Sequence, residues 1–143
     1  MRLVLVAAIA ALLPACFSST GTSDCLGDRD CDGLVCTRVG ECAGPENIYS
    51  LRIEWTVHGR TTDDLAACAD VGELELAIED PTTGDVHAVR PVPCASGRFT
   101  FDKLPLSYTE VTLTAYGPGG SFLDSVRASA VGAAGIVQIS LLP

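Results

Sequence analysis

Seven cysteines, at positions 16, 25, 31, 36, 42, 68 and 94, are the residues of this chain with the widest choice of chemistry. A thiol can oxidise to a disulfide, bind a metal as thiolate, or accept an acyl-bearing group. Cys25, Cys31, Cys36 and Cys42 follow one another as C-x5-C-x4-C-x5-C. Zinc knuckles set paired thiolates roughly two to four residues apart, so that one turn of chain presents both. That spacing is missing here, and the four thiols are predicted to form two disulfides. Three pairings are open. The interleaved one, Cys25 with Cys36 and Cys31 with Cys42, is preferred, and the sequence does not decide among them. Cys68 and Cys94 are predicted to bridge at the open end of a hairpin that turns near Pro81–Gly84. Cys16 is left over, and an odd cysteine in an exported chain needs a fate of its own.

Carboxylates offer a second chemistry. Asp28-Arg29-Asp30-Cys31-Asp32-Gly33 matches the opening D-x-D-x-D-G of a calcium loop, where alternate carboxylates face inward and glycine allows the sharp turn. The twelfth position of such a loop carries a bidentate acid, and here it is Val39; the ninth is Cys36. A solvated acidic loop between disulfides is therefore the preferred reading. A calcium-dependent module built on Asp28, Asp30 and Asp32 is the alternative. No other metal and no cofactor is expected. His58 and His87 stand alone, with no metal-type partner at short spacing. Asp63 and Asp64 are adjacent and do not converge. No G-x-S-x-G nucleophile turn occurs, and no lysine follows the Gly119-Gly120 or Gly132–Gly135 clusters as a phosphate loop requires. A hydrolase needs a nucleophile beside a base, and the chain is not expected to be an enzyme.

The start of the chain explains Cys16. Arg2 precedes an unbroken apolar run from Leu3 to Leu13. The run suits the core of a signal peptide and is shorter than the roughly 20 residues a bilayer span needs. It ends in Leu13-Pro14-Ala15-Cys16, which resembles a bacterial lipobox: an apolar residue, a variable one, a small one, then cysteine. The resemblance implies removal of residues 1–15 and a lipidated N-terminal Cys16. A tether over 16–24 would follow, anchored in the lipid bilayer of a Gram-negative cell envelope. Two or three acyl chains, at about 0.8 kcal/mol per buried methylene, hold a protein stably where one does not. Phe17 rather than Asp after the cysteine points to the outer membrane in the enteric pattern. The odd cysteine count and the lipobox support each other independently.

The remaining chain supplies the elements that position these groups. Net charge is −9, which disfavours nucleic acid and anionic headgroups as partners. The disulfide segment spans 25–44, and its TSDCLGDRDCDGLVCTRVGECAG resembles short cysteine-rich motifs of bacterial exported proteins. From residue 48 to 143 the hydrophobic period becomes two. Leu51, Ile53, Trp55 and Val57 alternate with polar residues, as do Leu74, Leu76 and Ile78 with Glu73, Glu75 and Glu79. The same holds for Val111, Leu113 and Ala115, and for Val137, Ile139 and Leu141. A weaker strand over 86–92 contains Pro91, which marks an edge. Strands around Phe99–Phe101 and over 122–128 bring the count to seven. One helical turn is allowed over 62–69. The expected fold is all-β, a single antiparallel seven-stranded β-sandwich with Trp55 in its core. The glutamates of 73–79 are read as its wet face.

Gly97-Arg98-Phe99-Thr100-Phe101-Asp102-Lys103-Leu104-Pro105, with Tyr108 after it, resembles the G-x-F-x-F-x-x-L-P element of carboxypeptidase-regulatory-like, prealbumin-type sandwiches. The likeness runs over roughly residues 70–117. It implies a non-catalytic structural or adhesive spacer in which this element is a strand and turn that pack the sandwich. The expected partner is then an envelope protein or a polysaccharide. The eight aromatic residues, with Phe17 and Tyr49 in or beside linkers, are too few for a strip on which sugars would stack.

Overall fold

The computed structural model describes residues 25–64, 66–131 and 135–143. The expected signal segment 1–15, the lipobox-like Leu13-Pro14-Ala15-Cys16 and the expected tether 16–24 lie outside the described residues. No helix among the described residues is long and apolar enough to cross a membrane.

Among the described residues, all regular structure beyond single 3-10 turns is strand. In chain order the strands are β1 Val35–Cys36, β2 Cys42–Ala43, β3 Ile48–Val57, β4 Arg60–Thr61 and β5 Glu73–Glu79. They continue as β6 Val86–Val92, β7 Arg98–Pro105, β8 Glu110–Tyr116, β9 Phe122–Ser129 and β10 Ile136–Leu141. The seven expected strands are β3 and β5–β10. The other three, each of two residues, bring the total among the described residues to ten. Strands of that length carry no alternation to read. β1 and β2 form a ribbon inside the cysteine-rich segment, and β4 folds back on the end of β3. The turn region after Thr61 is a run of overlapping three-residue-offset turns, such as Ala67 N–H to Asp64 O and Val71 N–H to Cys68 O.

Two sheets make the sandwich. One is ordered β6-β5-β8-β9. In the other, β3 is central, with β10 on one side and with β7 and β4 on the other. All pairs are antiparallel except β3 with β10, which run parallel from Arg52↔Ile136 to Val57↔Leu141. The sandwich is therefore mixed, not purely antiparallel. Period-two alternation dictates which side chains turn inward, not the direction of a neighbour.

The inward set matches the alternation. Leu51, Ile53, Val57, Leu74, Leu76, Ile78, Val111, Leu113 and Leu141 have no accessible surface. Each such side chain contributes about 1.5–3 kcal/mol of transfer free energy on burial. Trp55 is buried with them, and its Nε1–H donates to Cys94 O at 3.0 Å. Phe99 and Phe101 on β7 meet edge to face at 5.0 Å between centroids. β6 is an edge strand, and its bulge opposite Leu74–Leu76 falls at Arg90-Pro91, where proline offers no N–H to the ladder.

β7 departs from regular pairing. Tyr49 lies opposite Leu104 and Leu51 opposite Phe101, so β7 carries one residue more than β3 between those pairs. The bulge holds Asp102 and Lys103, and Lys103 takes φ 52°. A non-glycine residue in that left-handed region costs roughly 1–2 kcal/mol. A bulge re-aims side chains, and here it turns Asp102 and Lys103 toward the cysteine-rich segment.

Candidate functional site

The cysteine-rich segment is a knot of two interleaved bridges. Cys25–Cys36 and Cys31–Cys42 have Cα separations of 5.8 and 5.4 Å. A third bridge, Cys68–Cys94, ties the turn before β5 to the turn after β6, with Cα atoms 5.9 Å apart. The sulfurs of Cys25, Cys31 and Cys42 gather within 4.8 Å of one another. All three belong to disulfides, and a metal ligand must be a thiolate.

The knot docks on the β7 bulge. Lys103 Nζ donates to both Asp28 carboxylate oxygens, at 2.9 and 3.0 Å. Asp28 also accepts the Cys36 N–H at 3.0 Å. Arg38 pairs with Asp102, and its own N–H donates to Lys103 O at 2.9 Å. Val39, the twelfth position of the calcium-loop match, packs instead against the sandwich core. Lys103 and the Cys36 N–H hold the Asp28 carboxyl below the ordinary value, and Arg38 does the same for Asp102. Asp30 accepts the Leu26 and Gly27 N–H groups at 2.9 and 3.1 Å. Asp32 ends the 3-10 turn in a left-handed conformation, φ 44°. Among these three aspartates, two carboxylates are thus occupied by protein donors that pull in different directions.

The glutamates of β5 also have partners. Arg90 on β6 pairs with Glu73 and Glu75, and stacks over the Tyr116 ring at 3.9 Å. Arg127 on β9 reaches Glu79 at 2.9 Å and Glu110 at 3.3 Å. The outer face of the β6-β5-β8-β9 sheet is a network of cross-strand ion pairs. Two guanidinium groups offset half of the charge of these four glutamates, and the stripe stays net negative. His87 is half-buried against Phe101, with ring centroids 6.1 Å apart, and burial followed by the Arg38 charge lowers its pKa. His58 is exposed at the turn after β3. Asp64 pairs with Arg60 and caps the Ala66 N–H.

A concavity lies on the opposite sheet. A groove of 630 Å³ opens on the outer face around β3. Ligand pockets for small molecules run about 300–1,000 Å³. Arg52, Glu54 and Thr56 line it from β3, Gln138 and Ser140 from β10, Arg98 from β7, and Thr61 and Asp63 from β4 and its following turn. Glu54 sits opposite Gln138 on one side and Arg98 on the other. Its carboxylate nevertheless pairs with Arg52 at 2.7 Å. Thr56 and Ser140 hydroxyls meet at 3.1 Å. Arg52 Nε is buried with no hydrogen-bond partner. Six of the eight arginine and lysine side chains among the described residues form ion pairs. Arg98 and Arg29 are the two that do not.

Of the groove side chains named above, the sequence singles out only Asp63 for its chemistry, as a carboxylate neighbour of Asp64. Arg52, Glu54 and Thr56 read only as the wet side of a strand. Their company depends on β10 running parallel beside β3, for which local sequence carries no signal. The chain matches no protein-family model, no curated protein and no solved structure.

Proposed function

We propose that the mature protein is a membrane-anchored envelope lipoprotein, held through acylated Cys16, that presents a non-catalytic binding sandwich. The observation that carries this reading is the cysteine balance. Six of the seven cysteines pair in three disulfides, and the one over is the cysteine of Leu13-Pro14-Ala15-Cys16. The docked knot supports it as well. A short tether followed by a knot bonded to β7 would hold the sandwich at a set distance from the bilayer. The resemblance of residues 97–105 to the prealbumin-type element fits β7, whose Phe101 and Leu104 are buried. A spacer or binding role follows from that resemblance. The anionic chain suits a protein or polysaccharide partner better than nucleic acid. Nothing in the geometry favours the calcium-dependent alternative, because Asp28 and Asp30 already accept protein donors.

The test is the intact mass of protein purified in detergent. The expected mass begins at Cys16, carries two or three acyl chains, and lacks six hydrogens for three disulfides. Cys16→Ser is expected to leave the protein unprocessed or released from membranes. A Cys16→Ser protein that is still processed and membrane-bound would sink the anchor.

A further inference from the structure

We propose that the groove on the outer face of the β10-β3-β7 sheet binds a sugar acid, meaning a glycan residue that carries a carboxylate among neutral hydroxyls. The inference rests on reading the sandwich as a binding module. It adds the site and the chemical class of the ligand.

Two features of the groove point to a carboxylate. Arg98 brings a guanidinium with no ion pair, although Glu54 lies directly across from it. Among the described residues every other cation except Arg29 is already paired, so an unpaired arginine in a concavity is available to an external anion. Arg52 Nε is a buried donor without an acceptor. Leaving a buried donor unpaired is unfavourable, and an acceptor that enters the groove would relieve that cost. A carboxylate entering the groove beside Arg98 would give Arg52 Nε the acceptor it lacks, in the forked geometry that a guanidinium favours.

The rest of the lining favours a sugar over a peptide. Thr56, Thr61, Ser140 and Gln138 offer hydroxyl and amide groups that both donate and accept, as sugar hydroxyls require. A peptide that adds a strand needs a free sheet edge. The groove lies over the face of β3, which already has β10 on one side and β7 with β4 on the other, so it offers side chains and not a free backbone edge. Stacking is not the binding mode, since Trp55 is turned into the core. A polyanion is disfavoured by the net charge of −9. A chain with isolated carboxylates avoids that repulsion.

The test is calorimetric titration of the purified mature acylated protein in detergent with cellobiouronic acid. Cellobiose serves as a neutral counterpart that differs by hydroxymethyl for carboxylate. The acid is expected to bind at least about tenfold more tightly than cellobiose, the scale of one charge-assisted hydrogen bond. Arg98→Gln is expected to remove about that tenfold with an unchanged melting temperature. Arg29→Gln, the same charge change on the knot, is expected to leave binding unaltered. Equal binding of acid and cellobiose, no binding of the acid at millimolar concentration, or equal weakening by Arg29→Gln would each overturn the proposal. So would a glutamate-containing tripeptide that binds as well as the sugar acid. Membrane fractionation of the same protein reports separately on the anchor, so failure of either idea is distinguishable from failure of the other.

Discussion

Trp55→Phe tests whether the tryptophan acts as a clamp between β3 and the disulfide-bonded turn at Cys94. The ring is 4 % exposed and its Nε1–H donates to Cys94 O at 3.0 Å. Phenylalanine removes the donor and roughly 40 Å³ of side chain. At about 24 cal/mol per Å³ of unrelaxed cavity, the volume change costs about 1 kcal/mol. A buried carbonyl stripped of every partner would add about 1–3 kcal/mol. Cys94 O keeps the Gly97 N–H at 3.2 Å, so the lower end applies. The total is about 2 kcal/mol, or a fall in melting temperature of about 8–16 °C for a domain of this size. Urea unfolding should be followed by far-UV circular dichroism, because the substitution removes the only tryptophan. The midpoint should fall while the denaturant slope stays constant. A loss below about 0.5 kcal/mol would refute the reasoning, since no buried tryptophan bonded to a core carbonyl could be so cheaply replaced.

The Cys68–Cys94 bridge closes a loop of sequence separation 26, so the paired Cys68→Ala and Cys94→Ala variant should lose about 3 kcal/mol in equilibrium unfolding, and an unchanged midpoint would deny the bridge a role in stability. His87 has a folded pKa below its ordinary 6.5, so the unfolded chain binds its proton more readily. Its neutral form therefore supports the fold above 6.5, and that support should decline as pH falls below 6.5. A His87 imidazole titrating by NMR at or above the ordinary value would contradict this. Asp28 and Asp102 are held below 3.8 by Lys103 and Arg38, so their contribution is present above 3.8 and lost as pH falls through the lower folded values. Hydrogen exchange at acid pH should show amides of the knot losing protection before those of β3 and β5. Simultaneous loss in both would mean that the knot is not held by these pairs.

Much of the sandwich was legible because burial and strand geometry share a period. Leu51, Ile53, Trp55 and Val57 had one possible dry side once they were read as a strand. The same logic placed Leu74, Leu76 and Ile78, and Pro91 marked β6 as an edge because proline cannot serve two neighbours. The bulge at Asp102-Lys103 was not legible. Neither residue is a glycine, and the left-handed backbone at Lys103 is set by what it meets: Asp28 on its ammonium and the Arg38 N–H on its carbonyl. The D-x-D-x-D-G match pointed toward a cation, and in the structure the cation beside Asp28 is the lysine of β7.

Residue types and spacing alone determined the disulfide number, the resemblance to a lipobox and the two-faced strands, since each follows from covalent chemistry or from the pleat. Tertiary structure decided everything that depends on which strands become neighbours. It set β10 parallel to β3, and so assembled Arg52, Glu54, Arg98 and Gln138 around one groove from three separate strands. It chose the interleaved bridges of the knot, and it bonded that knot to the sandwich through a single bulge. Strand partners are selected by the packing of two whole sheets. That long-range balance leaves no periodic mark on any one segment.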